Sequence, residues 1–411
     1  MRISTSQIFS GGLNNMLRQQ AETLRLQQQI SSQKKVEYPS DDPIAAARID
    51  LMKQRISYGE RLQRNNEAAQ GTLKFEESVL SNGVNVLQRL RELQVQAGNN
   101  SLTENDRKAL ADEAEVLLNQ LQGLANTQDS NGNYIFSGSK SSAQTITRDV
   151  SGQFVYNGDQ TQRFQTITSG LDVALNDNGA DLFMRIPNGN GRFTVAETAT
   201  PNTGNAVATS GSVVDNAAYI ADDYTLQFVL NTANELVVMV SGVASGNVIP
   251  PSGDPDDAPL YTSGATISFN GLELTVTGTP SAGDSFAIEP AASESIFSTV
   301  ANMIDNLRQP FSTPTQKAHT QTRNNQILEQ LDSGLGNIID HQSKVGARLN
   351  QLDVAEKVNI DLVDISTETK SGLEDANLAE VAVALNLQLT YLQIAQQTFA
   401  SIQGLSAFNF I

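Results

Sequence analysis

Apolar residues recur every three, four or seven positions in both flanks of this 411-residue chain, a pattern typical of amphipathic helices. The clearest series are Leu73, Leu80 and Leu87 in the first flank, and Leu331, Leu335, Ile338, Val345, Leu349 and Leu352 in the second. Narrow apolar stripes of this kind pack against other helices. The flanks therefore predict a long antiparallel helical bundle or coiled coil.

From about residue 130 the apolar period changes to two. Segments such as TLQFVLNT, ELVVMVSG and DSFAIEP carry β-branched and aromatic residues between Gly, Asn and Pro turns, as strands do. Proline is absent between Pro43 and Pro187 and after Pro314, so uninterrupted helices fit only the flanks. The predicted fold class is α+β and multidomain, with a mainly antiparallel β domain inserted between two helical flanks.

Five segments follow from these patterns. They are an N-terminal amphipathic helix (1–40), the first part of the bundle (41–145), an outward-facing acidic β domain (146–294), the second part of the bundle (295–370) and a C-terminal amphipathic helix (371–411). Asp42 is predicted to cap a helix that has Pro43 in its first turn and runs toward Gln96. The segment KSGLED, which begins at Lys370, is predicted to separate the last two helices.

The two chain ends carry apolar stripes without an evident partner in the same chain. An isolated helix with one narrow stripe is marginally stable in water, so we expect both ends to be disordered in the monomer and to fold against neighbours. Gly404 is expected to end the last helix, leaving an apolar segment beyond it. The predicted assembly interface comprises Ile8, Leu13, Leu17, Leu24, Leu378, Val381, Leu385, Leu392, Phe399, Ile402, Leu405, Phe408 and Phe410.

Charge and composition exclude several classes of partner. The net charge is −18, and residues 141–294 hold far more Asp and Glu than Lys and Arg, which disfavours nucleic acid and anionic membranes. The continuous apolar runs are shorter than the ~20 residues of a membrane span, so no transmembrane helix is predicted. The first residues lack the apolar core of a cleavable secretory signal.

No cluster of residues indicates catalysis or a cofactor. The chain has no cysteine and two histidines, His319 and His341, which we expect to lie on the surface. The DSNGNY segment at 129–134 does not match a calcium loop and is predicted to be a turn. The sequence therefore predicts no metal site, no cofactor and no enzyme activity.

Several motifs, taken together and in order, resemble the flagellin family of bacterial flagellar axial proteins. They are SDDPIAAARI at 40–49, RELQVQAGNNSLTENDRKALADEAEVLLNQLQGLANT at 91–127, VGARLNQLD at 345–353 and EDANLAEVAVALN at 374–386. NGNYIFSGSK at 131–140 and the terminal FASIQGLSAFNFI look most like the hook-associated protein 3 branch. Flagellin itself is the alternative, and a type III secretion tip or translocator protein is a third.

The resemblance implies a structural role at the junction between the flagellar hook and the filament, in a ring of identical subunits. It implies a hook-associated protein as neighbour on the hook side and flagellin on the filament side. It also implies secretion through the flagellar type III apparatus, with an export chaperone that binds the C-terminal region, and an extracellular location on the flagellum. Placed on this family, the two apolar ends would form an inner coiled-coil layer.

Overall fold

The structure, a computed structural model, describes residues 5–198 and 201–407, with the backbone alone at 5, 6, 8 and 402–407. Long helices occupy both flanks, and a β region lies between them in the sequence. The helices are α1 (Thr5–Ser32), α2 (Pro43–Ala97), α3 (Glu104–Ala125), α4 (Ile296–Arg308), α5 (Pro314–Glu374) and α6 (Leu378–Ala407). This arrangement confirms the predicted fold class.

The ends of these helices follow local capping chemistry. Asp42 Oδ1 accepts hydrogen bonds from the backbone N–H groups of Ile44 and Ala45, both at 3.0 Å, at the start of α2. Thr103 and Asp106 form a reciprocal capping box at the start of α3. The predicted gap at KSGLED is wrong in its position, because α5 continues through it to Glu374 and only three residues separate α5 from α6.

Two compact units share these helices. One contains residues 5–66, 166–171 and 353–407, and the other contains residues 67–165 and 172–352 without the two undescribed positions. The two units are defined by which residues pack together, whereas the five predicted segments are defined by changes in the spacing of apolar residues along the sequence. Those predicted boundaries therefore remain predictions.

The second unit holds the bundle formed by α3, α4 and the adjoining parts of α2 and α5. Its predicted seams are buried, with Leu73 and Leu87 on α2 and Leu331 and Ile338 on α5 all at 0% exposure. Polar contacts accompany this packing: Gln94 Nε2 donates to Asn324 Oδ1 at 3.1 Å. Complete burial of the leucine and isoleucine side chains supplies the main stabilisation of the bundle.

The β region lies mostly in this unit and consists mostly of short strands, and the strand pairs within its two larger sheets are antiparallel. The strands are β1 (Ile146–Arg148), β2 (Phe154–Tyr156), β3 (Phe164–Thr168), β4 (Leu171–Ala174), β5 (Ile186–Pro187), β6 (Phe193–Glu197), β7 (Val207–Ala208), β8 (Ser212–Val213), β9 (Tyr224–Leu230), β10 (Leu236–Gly242), β11 (Gly246–Ile249), β12 (Thr266–Phe269), β13 (Leu272–Thr277), β14 (Ser285–Pro290) and β15 (Ser293–Glu294).

Two sheets enclose the β core. One has the order β11-β10-β9-β14-β6, and the other has β12-β13-β7 with β8 also paired to β13. Alternate residues of β9, namely Tyr224, Leu226 and Phe228, point inward and are buried. The Phe228 ring meets the rings of Phe286 and Tyr261 edge-on, with centroids 6.4 and 5.1 Å away. The period of two in the sequence thus corresponds to one buried face of each sheet.

Candidate assembly surface

Helices α1 and α6 form an antiparallel pair within the first unit. The rings of Phe9 and Phe399 lie 5.0 Å apart, and Gln388 Nε2 donates to the Gln19 carbonyl at 3.3 Å. Beyond the end of α1, the Ala376 N–H donates to the Gln33 carbonyl at 2.9 Å. From one contact to the next the residue number rises along the first flank and falls along the second, so the three contacts define an antiparallel register.

The contact between the two helices uses an inner seam with steps of four and three residues. Its members are half-buried or buried: Gly12, Met16, Gln19, Thr23, Leu26 and Ile30 on α1, with Val381, Ala384, Leu385, Gln388, Leu392, Ala395 and Phe399 on α6. A Cβ atom added at Gly12 would lie 3.1 Å from the Phe399 ring. Glycine therefore permits the close approach of the helices at this end of the seam.

The predicted interface residues of α1 are not part of the inner seam. Leu13, Leu17 and Leu24 are 41%, 53% and 59% exposed, so α6 of the same chain leaves most of their apolar surface uncovered. We call these three residues the α1 stripe. Ile8 lies in α1, but its side chain is outside the described part of the structure.

On α6 the predicted residues divide into two groups. Val381, Leu385, Leu392 and Phe399 are half-buried in the inner seam, whereas Leu378 is exposed. The α6 backbone is helical through Ile402 and Leu405 to Ala407, so Gly404 does not end the helix as predicted. The side chains of Ile402 and Leu405 are not described, and Phe408 and Phe410 lie outside the described residues.

A second apolar stripe on α6 was missed by the sequence analysis. Val383, Leu387, Tyr391 and Ile394, here called the α6 stripe, are each about half exposed or more. Their steps of four, four and three residues were a readable helical signal. The stripe was missed because the inner seam of the same helix has an equally good period.

Helix α6 also corrects the expectation that the chain has no candidate membrane span. Residues Leu378–Ser401 are long and apolar enough to cross a membrane by length and composition, and none of that segment is buried. The prediction from sequence considered only continuous apolar runs. Helix α6 instead mixes aliphatic residues with uncharged Gln, Asn and Thr, and it holds one charged residue, Glu380. One such helix is weak evidence for a membrane span. Its exposed apolar surface is nevertheless unfavourable in water unless another protein surface packs against it.

The histidines are not the surface residues that we expected. His341 is buried, with its Nδ1 atom 3.1 Å from Asp177 Oδ2, and His319 contacts Glu197. Asp177 also accepts a hydrogen bond from Arg348 Nη2 at 2.7 Å. Burial disfavours the Asp177 carboxylate, but the bonds from His341 and Arg348 outweigh it and lower the pKa of that carboxyl.

Glu76 completes this buried cluster. Its Oε1 accepts a hydrogen bond from the Asp177 backbone N–H at 2.9 Å, and within the described residues its Oε2 atom has no hydrogen-bond partner. Burial, followed by the nearby Asp177 charge, raises the pKa of Glu76 to about 8, although Arg348 and Arg163 act in the opposite direction. Over residues 5–198 and 201–407, no group of three His, Asp or Glu side chains is arranged to hold a metal ion.

Comparison with known proteins finds similarity to flagellar proteins. The family model of the bacterial flagellin N-terminal helical region matches residues 3–141, and that of the flagellar hook-associated protein 1 D2-like domain matches residues 197–290. The crystal structure of flagellar hook associated protein-3 from Legionella pneumophila is 60% identical in sequence with a TM-score of 0.78. That match covers 79% of this chain and 98% of the Legionella chain.

Two further relatives agree. FlgL from Xanthomonas campestris is 27% identical with a TM-score of 0.70, over 78% of this chain and 99% of that one. Flagellar hook-associated protein 3 from Salmonella typhimurium is 34% identical over 186 residues, which is 45% of this chain and 58% of the relative. The match thus spans little more than half the length of this curated relative. Curated flagellins match at lower identities, from 22% to 28%.

Proposed function

Because the chain belongs to the flagellar hook-associated protein 3 family, we propose that it is a structural subunit of the ring that joins the flagellar hook to the filament. The similarity over nearly the whole Legionella chain carries this proposal. Flagellins are related at lower identity, which favours a junction protein over a filament subunit. The proposed role is that of an adaptor on which the filament assembles.

The α1 and α6 stripes supply the surface for this role. Two apolar stripes on one helix pair remain exposed to water, and contiguous exposed apolar surface marks interaction sites. In the proposed assembly they form an inner coiled-coil layer, with the acidic β domain facing solvent. Both chain ends, disordered in the monomer, would order as neighbours cover the stripes.

The proposed partners follow from the same position on the flagellum. They are further copies of this chain, a hook-associated protein on the hook side and flagellin on the filament side. Before assembly, an export chaperone would cover the C-terminal region during secretion through the flagellar type III apparatus. The apolar exposed surface of α6 is a suitable target for such a chaperone.

Labelling of intact flagella tests the proposed function. Antibody against the β domain should mark one short band at the boundary between hook and filament. Label along the entire filament would contradict the junction role and identify a flagellin. A strain that lacks the gene provides the background control, and it should release hooks without attached filaments.

A pair of matched substitutions tests whether the stripes serve assembly. Leu387→Asp places a charge in the α6 stripe and should abolish incorporation at the junction while the circular dichroism of the monomer stays unchanged. Val243→Asp, at an 83% exposed position in the loop after β10, is the control and should incorporate normally. Normal incorporation of Leu387→Asp would exclude the α6 stripe from the assembly surface.

A further inference from the structure

The two larger sheets of the β region share an apolar core of their own. Its buried members, and the partly buried apolar residues packed against them, all lie within residues 193–288, and no described residue of α5 belongs to it. We call residues 193–198 and 201–290 the β module. The two chain segments that enter and leave the module pair with each other through β5 and β15, and the Asn188 N–H donates to the Ala292 carbonyl at 2.9 Å. The module is therefore attached by a narrow two-stranded link.

The contact between the β module and α5 is polar. Gln326 Nε2 donates to the Val195 carbonyl, and Asn325 Nδ2 donates to the Ala208 carbonyl at 3.1 Å. Val195 and Ala208 lie on β6 and β7, which are the end strands of the two sheets. Side chains of α5 thus supply hydrogen-bond partners at sheet edges where a further strand is missing.

Further hydrogen bonds extend this contact along the same side of α5. They join Thr315 to the Thr203 carbonyl, His319 to Glu197, and Glu329 to Ser210. Water replaces each of these bonds when the contact opens, so each bond adds little net stability to the closed state. A contact of this kind is much easier to open than the apolar packing inside the module or inside the bundle.

The closed contact is also incompletely packed. A cleft of about 510 Å³ lies between the module and α5, and its lining includes Glu197, His319, Thr322 and Arg323. Three buried polar atoms along the contact have no hydrogen-bond partner within the described residues, namely Glu197 Oε1, Thr322 Oγ1 and Glu329 Oε2. Each of these atoms destabilises the closed contact and would bind water once the contact opens.

We propose that the β module docks on α5 reversibly, and that the polar side of α5 acts as a latch that opens and closes while the helical bundle stays folded. Polar interfaces between separately packed parts of one chain permit relative motion. The two-stranded link supplies the hinge for this motion. The latch operates within a single chain, so it does not depend on the proposed function.

Thiol labelling of the full chain tests the latch, since no native cysteine competes for the reagent. Thr322→Cys puts a thiol of nearly the same size at a 2% exposed position in the cleft. Thr299→Cys puts one at a 3% exposed position of α4 inside the bundle. We expect a maleimide to label Thr322→Cys at least about tenfold faster in native buffer, because opening of the latch exposes only the first thiol.

Matched second substitutions assign this opening to the latch. Addition of Gln326→Ala to Thr322→Cys removes the bond to the Val195 carbonyl and should raise the labelling rate about fivefold. Addition of Gln351→Ala, at an exposed position of the same helix, should leave the rate unchanged. Equal rates for Thr322→Cys and Thr299→Cys would overturn the proposal, and so would a rate that Gln326→Ala leaves unchanged.

A distance measurement replaces the labelling if Thr322→Cys impairs folding. Spin labels at Val243→Cys in the module and Val116→Cys on α3 should give two distances by electron–electron double resonance in the Gln326→Ala chain. The pair Val95→Cys/Val116→Cys, with both labels on the bundle, should give one distance. A single narrow distance for both pairs would overturn the latch.

Discussion

Replacement of Glu76 by Gln should make the second unit more stable at neutral and alkaline pH. Glu76 is 1% exposed on α2, and the neighbouring Asp177 is ionised by its bonds to His341 and Arg348. A carboxylate at Glu76 would be a second buried negative charge beside the first. Glutamine has nearly the same shape, keeps an acceptor for the Asp177 N–H and carries no charge.

The expected magnitude follows from the raised pKa. Burial and the Asp177 charge raise the pKa of Glu76 from 4.5 to about 8. The folded state therefore holds the proton more tightly than the unfolded state, and the wild-type chain loses stability as pH rises from 4.5 to 8. With about 1.4 kcal/mol for each pKa unit, the total loss is about 5 kcal/mol, and most of it, roughly 3 to 4 kcal/mol, falls between pH 5 and pH 8.

Urea unfolding of wild-type and Glu76→Gln chains at pH 5, 6, 7 and 8, followed by circular dichroism, measures this effect. The free energy of unfolding of the variant should rise relative to wild type by roughly 3 to 4 kcal/mol from pH 5 to pH 8. Glu67→Gln, an exposed position on the same helix, is the control and should run parallel to wild type. Parallel curves for Glu76→Gln as well would refute the argument that burial holds this proton.

Three further substitutions test the packing of the fold. Asn324→Leu removes the Oδ1 atom that accepts hydrogen bonds from Gln94 and Asn306, and it should lower the free energy of unfolding in urea by about 2 to 3 kcal/mol. The exposed Asn350→Leu is the control and should have little effect. An unchanged urea midpoint for Asn324→Leu would contradict the role of this buried network. Phe228→Ala should destabilise the β core by about 3 to 5 kcal/mol in thermal unfolding. The exposed Phe164→Ala is the control, and equal melting temperatures for the two variants would count against the edge-on ring packing. Asp42→Ala should remove about 1 kcal/mol at the start of α2 and speed hydrogen exchange of the Ile44 and Ala45 amides about fivefold, and unchanged exchange would show that the cap is not needed.

Much of the fold was readable from local patterns. The steps of three and four residues predicted the helices of both flanks, and the change to a period of two predicted the antiparallel strands. Asp42 and the Thr103 with Asp106 pair act through backbone groups no more than three residues away, so their capping chemistry is visible in a short stretch of sequence. The gap at KSGLED was misplaced because Gly372 weakens a helix without ending it.

The buried charged cluster around Asp177 could not be predicted from local sequence patterns. His341, on α5, is buried beside its partner Asp177, and Asp177 also pairs with Arg348. Asp177 and Glu76 reach the cluster from the loop after β4 and from α2. No spacing rule connects residues that are separated by so much of the chain, so these side chains looked like ordinary surface residues in the sequence.

The sequence by itself determined which segments are helices, where strands replace them and that both chain ends are apolar. It did not determine which apolar positions of α6 the chain covers, because Leu385 and Leu392 and the neighbouring Leu387 and Ile394 satisfy the same helical period. Only the tertiary structure decided this, since the antiparallel register with α1 buries one set of side chains and leaves the other in solvent. The spacing of apolar residues predicts which stripes a helix has, but only the packing of the neighbouring helix determines which stripe is buried and which remains exposed.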